Sequence, residues 1–363
     1  MRFYTLSLST PAGQVYQVSP NGLGWSLGTA GNGPTFSSLY TPWQNSSLAG
    51  QPNPNALQIE FDLPVSMLHL PQGLQLIRVW GLGIHCITQA QLANLNPTKN
   101  AAGKLVYNNF TLSGGMSAGL PLANPNQRGV IASGIIWQAF GNWEGVEQTL
   151  DLIVAPSING LQGAVSLTWT KGQGLQSALA LAFKQAFPTF TASINVSPSL
   201  IAPSDQNGIY TDLTSFGQHL QRYTKRTFGS ALGPNYDGVW IYTVGTTIYA
   251  TDHALAPTKP PVALAFQDLV GQPTWIDYAT ILFPTVLRGD IDISDQVTFP
   301  SGTLLPYALT SPNAAYPNSP AASNVSFQGT FTVKEIHHYG SYRQQDARSW
   351  NSTMTAIYNP LVA

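Results

Sequence analysis

The chain has 363 residues, enough for two or three domains of ordinary size. Charged residues make up only 9% of it, against about 25% in a typical soluble domain, and 15 Lys and Arg nearly balance 16 Asp and Glu. This balance argues against a dedicated nucleic-acid-binding protein, which needs a basic face for phosphates, and the 39 aromatic residues argue against disorder (9 Trp, 15 Tyr and 15 Phe).

Residues 1–155 have the alternating pattern of β-strands with one buried face. Turn residues separate the strands, and Gly134 and Gly141 predict bulges or bends within them. Phe61, Trp80 and Trp137 are predicted to pack in the interior. The predicted strands are residues 1–9, 14–19, 57–63, 74–80, 104–112, 129–139 and 148–154.

Residues 156–258 are predicted to form a mixed α/β unit. Apolar residues recur every four positions from Leu175 to Phe187, which predicts an amphipathic helix ended by Pro188. A second helix is predicted to begin at Asp212, an N-cap residue, and to end at Gly229. Strands are predicted over residues 190–196, 239–244 and 247–251, the last two as a hairpin.

Residues 259–363 return to a β pattern. The predicted strands are residues 279–287, 291–299, 330–338 and 350–358, with a Pro/Asn/Ser-rich loop over 307–324. The predicted fold class is therefore mainly β with an α+β insert, in three domains over residues 1–155, 156–258 and 259–363.

The catalytic and metal motifs in the chain are incomplete. Residues 115–119 fit the Gly-x-Ser-x-Gly nucleophile elbow, but Pro121 and Pro125 prevent a helix from starting after the serine. Residues 290–295 resemble the start of a calcium loop but lack its glycine, and Ser301 stands where that loop needs a glutamate. We therefore expect neither a hydrolase of that type nor a calcium site.

Histidines and the one cysteine give no zinc site either. His85-Cys86 and His337-His338 are adjacent pairs, and neighbours on a strand point to opposite faces. The chain has a single cysteine, so it has no intrachain disulfide, and it has no phosphate loop or dinucleotide fingerprint. We expect no cofactor and no enzymatic activity. It also has no run of about 18 apolar residues, so we expect no membrane insertion.

A series of strand motifs resembles, in its order along the chain, the baseplate hub family of contractile-tailed bacteriophages. In the first block the matching segments are Leu57-Gln58-Ile59-Glu60-Phe61-Asp62, Ile77-Arg78-Val79-Trp80-Gly81-Leu82, residues 109–115, residues 130–139 and residues 145–152. In the third block they are Leu269-Val270-Gly271-Gln272-Pro273, residues 281–290, residues 331–340 and Trp350-Asn351-Ser352-Thr353. Gly115-Met116 departs from the family's Gly-aromatic pair. From the first motif to the last, the series extends across about 300 of the 363 residues.

The resemblance implies two tube-like β-barrels per subunit and a homotrimer that forms a pseudo-sixfold ring. It implies contacts with a tail tube protein, a central spike protein and other baseplate proteins, and passage of DNA without specific binding. The implied location is the tail baseplate of a virion whose proteins are made in the bacterial cytoplasm. The implied role is structural: the hub continues the tube and adapts it to the spike.

Two other classes of protein remain open on the sequence. Nine Trp and Asn/Gly-rich loops suit a carbohydrate-binding β-protein of a fibre or cell surface, which needs exposed Trp facing a groove. Glu144 and Glu147 could serve a polysaccharide hydrolase as paired carboxylates, although nothing in their spacing is selective.

Four acidic residues are candidates for the lining of a DNA channel. Glu60 and Asp62 lie at alternate positions of one predicted strand, and Asp290 and Asp292 lie at the start of another. Alternate residues of a strand project from one face. In a ring of such strands, each acidic pair is expected either to line the channel or to face solvent on the outer wall.

Overall fold

The computed structural model describes residues 2–18, 24–66, 75–89, 95–101, 103, 105–117, 124–155, 163–233, 236–244, 247–252, 259–277, 279–300 and 327–359. These residues form mainly β-strands, with a smaller unit that contains two long helices. The predicted fold class, mainly β with an α+β insert, is confirmed. The predicted domain boundaries near 156 and 258 lie outside the described residues.

The first block contains eleven strands and one short helix among its described residues. Their bounds are β1 Arg2–Ser9, β2 Val15–Val18, β3 Trp25–Gly28, β4 Phe36–Ser37, β5 Gln58–Ser66, β6 Gln75–Trp80, α1 Ile84–Gln89, β7 Thr98–Lys99, β8 Leu105–Val106, β9 Asn109–Met116, β10 Gly129–Glu144 and β11 Glu147–Ala155.

The described residues of the middle unit form two helices and five strands. Their bounds are β12 Val165–Trp169, α2 Leu175–Ala186, β13 Thr191–Asn195, β14 Gln206–Tyr210, α3 Leu213–Leu232, β15 Trp240–Val244 and β16 Thr247–Thr251. The third block contains β17 Val262–Ala263, β18 Thr274–Trp275, β19 Thr280–Val286, β20 Gln296–Thr298, β21 Thr330–Ser341 and β22 Trp350–Asn359.

One sheet of 15 strands runs through both the first and the third block. Its main path is β18-β19-β22-β21-β5-β6-β11-β10-β9-β1-β2-β3. The two blocks join where β5 pairs antiparallel with β21, from Glu60 opposite Ser341 to Ser66 opposite Glu335. The strands on both sides of this seam are hydrogen-bonded in register, so the blocks share one continuous backbone ladder.

The sheet packs around two separate apolar cores. The core of the first block draws mainly on β1, β5, β6, β9, β10 and β11, but it also contains Leu287 and Trp350 from the third block. The core of the third block contains Phe283, Phe331 and Met354. The first core is therefore completed by residues that follow β19 and begin β22.

The seam between the blocks requires a glycine at one position. Gly340 of β21 lies directly opposite Phe61 of β5, and a β-carbon at Gly340 would overlap the Phe61 ring. The Phe61 ring thus occupies the space that a side chain at Gly340 would fill, and its centroid lies 5.4 Å from that of the Trp350 ring. The prediction that Phe61 is a packing residue is confirmed, because its side chain is buried.

The middle unit has its own core and packs against the third block. α2 and α3 cover their strands with a core that contains Phe183, Phe187 and Phe216. A smaller apolar cluster joins Trp240 of β15 to Ile357 of β22. Thus the middle unit contacts the last strand of the chain.

Three local predictions differ from the structure. α3 continues through Gly229 to Leu232, and Gly233, which has a positive φ of 111°, follows its end. His85 and Cys86 lie on the short helix α1 rather than on a strand. The register shifts of β10 fall between Val130 and Ala132 and between Ile136 and Gln138 rather than at Gly134 or Gly141.

Two further predictions differ in the third block and in β10. The strand predicted over 291–299 is only Gln296–Thr298 in the structure, because residues 292–295 form a turn in which the amide of Asp295 donates to the carbonyl of Asp292 at 3.1 Å. Trp137 is not interior: it lies at a register shift of β10, 37% exposed, and stacks on Tyr107 at 5.4 Å. The loop predicted over 307–324 lies outside the described residues.

Candidate functional site

Seven adjacent strands present one side-chain face that does not contribute to either core. These strands are β19, β22, β21, β5, β6, β11 and β10, in that spatial order. Along each of them, core residues alternate with residues that point the other way. We call the second set the open face; its members include Glu60, Asp62, Leu76, Arg78, Phe140, Thr149, Asp151, Pro284, Glu335, His337, Tyr339, Asn351, Thr353 and Thr355.

The seven strands are poor in positive charge. Their sequences contain six acidic residues, Glu60, Asp62, Glu144, Glu147, Asp151 and Glu335, against two basic ones, Arg78 and Lys334. Lys334 lies at a register shift of β21 and binds Asp237 of the middle unit at 2.7 Å. The open face therefore keeps one basic side chain, Arg78, beside several carboxylates.

Arg78 is held by a carboxylate on the neighbouring strand. Its Nε donates to Oδ1 of Asp151 at 2.8 Å, and its terminal nitrogen donates to Oδ2 at 2.9 Å. Asp151 lies directly opposite Arg78 in the ladder, and the guanidinium also covers the ring of Trp80, at 5.5 Å from its centroid. A bidentate pair of this kind fixes the guanidinium and neutralises its charge. Arg78 is thus unavailable as a free phosphate ligand.

Glu60 and Asp62 project from the open face of β5, as their alternation predicts. Ile59, Phe61 and Leu63 between and beside them are buried. Glu60 accepts a hydrogen bond from the Ser341 hydroxyl at 3.2 Å, across the seam with β21. The Asp62 side chain is 62% exposed and contacts Nε2 of His337 on the same seam.

Asp290 and Asp292 do not lie on one face at the start of a strand, as the sequence predicts. Neither lies on a strand, so the alternation expected for this pair is absent. Asp290 forms a bidentate pair with the buried Arg288, at 2.9 and 2.8 Å. Asp292 is exposed in the turn that precedes β20, with Lys259 at 3.7 Å. Glu60 and Asp62 are therefore the better candidates for a channel lining.

The strand that carries His337 also buries a histidine on its other side. His338 points into the interior, where its Nδ1 is 2.8 Å from the hydroxyl of Ser352. Burial, with a smaller contribution from the neighbouring His337, lowers the pKa of His338 to about 3. His338 is consequently neutral at neutral pH and serves the packing of β21 on β22.

As members of the open face, Glu335, His337, Arg78 and Asp151 are not singled out by the sequence, which marks His337 only as a metal-ligand candidate in an adjacent histidine pair. The signal for the first two was present, because Glu335, His337 and Tyr339 alternate with Ile336 and His338 along the predicted last strand pair. The pairing of Arg78 with Asp151 had no local signal, since the two residues lie on strands separated by more than sixty positions.

The alternative catalytic and ligand sites have less support from the geometry. Glu144 and Glu147 are opposite positions in the backbone register of β10 and β11, and the Glu147 side chain is exposed. Glu147 and Trp80 line a cleft of about 740 Å³ at that end of the sheet. In the described part of the chain no three His, Cys, Asp or Glu side chains are grouped so as to hold a metal ion. Nor does any helix there have the length and apolar character needed to cross a bilayer.

Comparisons with known proteins find similar solved structures. An E. coli protein described as a component of the type VI secretion system, with structural similarity to bacteriophage T4 tail proteins, has a TM-score of 0.46 and 9% identity over 85% of this chain and 78% of its own. A 43 kDa tail protein of prophage MuSo2 from Shewanella oneidensis has a TM-score of 0.44 and 7% identity over 83% of this chain and 92% of its own.

A third similar structure is the Francisella PdpA-VgrG complex, with a TM-score of 0.39 and 8% identity over 100% of this chain and 53% of that one. These three structures are described as a component of a type VI secretion system, a prophage tail protein and a PdpA-VgrG complex. No family model matches the sequence. No curated protein matches it either.

Proposed function

We propose that the chain is a structural subunit of a phage-type tail baseplate, a hub whose copies form a ring around a channel for DNA. The observation that carries this proposal is the open face. It spans seven strands from both β blocks, and it has an excess of carboxylates. In the proposed ring the open face of each subunit lines the channel, and the apolar cores lie behind it.

The charge of the open face suits a surface that DNA must pass without adhering. DNA phosphates bind to free Lys and Arg, with release of counterions. The guanidinium of Arg78 is already paired with Asp151, and Lys334 is paired with Asp237. The remaining carboxylates, Glu60 and Asp62 among them, repel phosphates over the Debye length of about 8 Å at physiological salt. The repulsion is short in range and keeps the DNA from settling on the wall.

A ring under mechanical force also needs subunits whose domains stay joined to each other. The ladder between β5 and β21 and the shared core around Trp350 join the two β blocks of this chain. Large permanent interfaces are depleted in charge, because each buried charge must lose its water. The chain's 9% of charged residues suits such interfaces. The proposed assembly is a homotrimer that joins a sixfold tube to a threefold spike.

The channel lining is tested by adding positive charge to the open face. Particles that carry Asp62→Lys are expected to assemble and to eject DNA more slowly than the parent, because the new ammonium groups bind phosphates. Asp292→Lys is the matched control, since Asp292 is also exposed (52% of its side chain) and the change in charge is the same. Equal slowing by both variants, or by neither in assembled particles, would contradict the proposal.

A carbohydrate-binding role is the second candidate, and one observation favours it. Trp137 is partly exposed and stacks on Tyr107 with an angle of 18° between the rings, which gives a flat aromatic surface. Binding of the purified chain to a glycan array, abolished by Trp137→Ala and unchanged by Trp143→Ala, would favour this candidate over the hub.

A further inference from the structure

The middle unit contains a groove that neither the open face nor the two β cores use. It lies between α2 and β13 and has a volume of about 450 Å³, within the range of small-ligand and peptide clefts. Its walls come from two regular stripes. One turn of helix separates Gln176, Ala180 and Lys184 on α2. Two positions separate Phe190, which directly precedes β13, from Ala192, and Ala192 from Ile194.

The strand that forms one wall lies at the edge of its sheet. In the described part of the middle unit, β13 pairs only with β16, in a sheet of the order β13-β16-β15. An edge strand has a row of backbone N–H and C=O groups without partners in its own sheet, which can pair with an added strand. A groove between an edge strand and a helix is a site where an extended peptide can be added to the sheet.

The groove's charge determines which end of such a peptide lies where. Lys184 lies in the last turn of α2, which a short connection joins to the start of β13, and it is the only charged residue among the described residues of the lining. No carboxylate among the described residues lies within ion-pair distance of it. A strand added antiparallel to β13 has its carboxyl end beside Lys184, whereas a parallel one has its amino end there. The ammonium group of Lys184 attracts a carboxylate, so it favours the antiparallel strand.

We propose that this groove binds the carboxyl-terminal segment of a partner protein. The segment lies as an extended strand antiparallel to β13. Its apolar side chains at alternate positions pack between Ala180 and Ala192, and its terminal carboxylate pairs with Lys184. The site is independent of the channel function, because it lies on the middle unit and shares no residue with the open face.

The probe is a pair of synthetic heptapeptide libraries of the same sequences, one with free carboxyl ends and one with carboxamide ends. We expect the purified chain to enrich peptides with apolar residues at alternate positions from the first library. The best of these peptides should bind at least tenfold more weakly as its carboxamide, and Lys184→Glu should weaken the free acid to a similar extent. No enrichment, or equal binding of acid and amide, would overturn the proposal.

Two matched variants test whether binding occurs in the groove. Ala180→Trp fills the groove and should abolish binding, whereas Leu181→Trp, one position along on the solvent side of α2, should leave it unchanged. Leu181 is 51% exposed and does not line the groove. Ala192→Trp repeats the test from the strand side. If Ala180→Trp instead dissociates an oligomer and peptides never bind, the occupant is a second copy of the chain and the proposal is wrong.

Discussion

The indole of Trp350, the first residue of β22, donates a hydrogen bond of 2.9 Å to the carbonyl of Gly115 in β9. One residue belongs to the third block and the other to the first, 235 positions apart. The guanidinium of Arg2 in β1 donates to the carbonyl of Ser341 in β21 at 2.6 Å. Side-chain hydrogen bonds therefore join the two β blocks at more than one point.

Replacement of Trp350 should destabilise the first block as well as the third. Trp350→Ala removes a buried ring that contacts Phe61 and Tyr342, and we expect a loss of about 3–5 kcal/mol in the free energy of unfolding. Hydrogen exchange should show weaker protection in β5 and β9 together with β22. Trp143→Ala, at a side chain that is 74% exposed, is the control and should change stability by less than about 0.5 kcal/mol. Unchanged protection in β9 would contradict the interlocking of the blocks.

Trp137 and Phe61 should differ in their contributions to stability. The alternating pattern predicts both as packing residues, but only Phe61 is buried. Phe61→Ala should cost about 3–5 kcal/mol. Trp137→Ala should cost about 1 kcal/mol, because it removes little more than the stack on Tyr107. Urea unfolding of the two variants measures the difference, and equal losses would show that Trp137 is more deeply packed than its exposure indicates.

The buried His338 should make the protein less stable in mild acid. Its pKa is about 3 in the folded chain and about 6.5 when unfolded, so between these values the unfolded chain binds the additional proton. Stability therefore falls as the pH falls below about 6.5, by about 2 kcal/mol between about pH 7 and about pH 5. His338→Gln should be less stable at neutral pH but should lose that much less on acidification. Parallel pH profiles for the parent and the variant would contradict this.

Asp237 of the middle unit binds two lysines, and we expect Lys334 of β21 to be the one that links the unit to the sheet. Lys225 and Lys334 both reach its carboxylate at 2.7 Å, but the Lys225 side chain is 55% exposed and that of Lys334 only 24%. Burial alone would raise the pKa of Asp237, and the two lysines reverse this and hold it below 3.8. The stabilisation is therefore present above about pH 4 and disappears as the carboxylate is protonated in stronger acid.

The two lysines provide a matched pair of variants. Lys334→Met should cost about 1.5–3 kcal/mol, because it breaks a half-buried charged hydrogen bond, whereas Lys225→Met should cost less than about 1 kcal/mol. Thermal unfolding measures the loss of stability in each variant, and hydrogen exchange shows whether the contact between the units is weakened. An equal effect of the two variants would show that Lys334 has no special role in joining the units.

The local pattern of the sequence predicts the strands well and their partners poorly. The strand that carries Glu60 and Asp62 follows from alternation, because one face of β5 is buried along most of its length. The seam of β5 with β21 has no such signal, since nothing in either segment specifies a partner almost three hundred positions away. The position of Glu60 and Asp62 relative to β21 therefore required the structure.

Backbone irregularities account for most of the other differences. A register shift beside Trp137 turns that ring outward, and alternation cannot predict where the extra residue is inserted. The segment from Asp292 to Asp295 alternates like a strand, but Ser294 adopts a positive φ of 73° and the chain turns. Both irregularities change the direction of candidate functional side chains, because the face on which a side chain lies depends on its residue's position in the ladder.

Electron cryomicroscopy of the assembled ring tests the proposed hub most directly. We expect three copies around a channel, with the open face, including Asp62 and Glu335, on the channel wall and the middle unit outside it. A ring with the open face directed to the outside, or an assembly in which that face is buried between subunits with no channel, would contradict it.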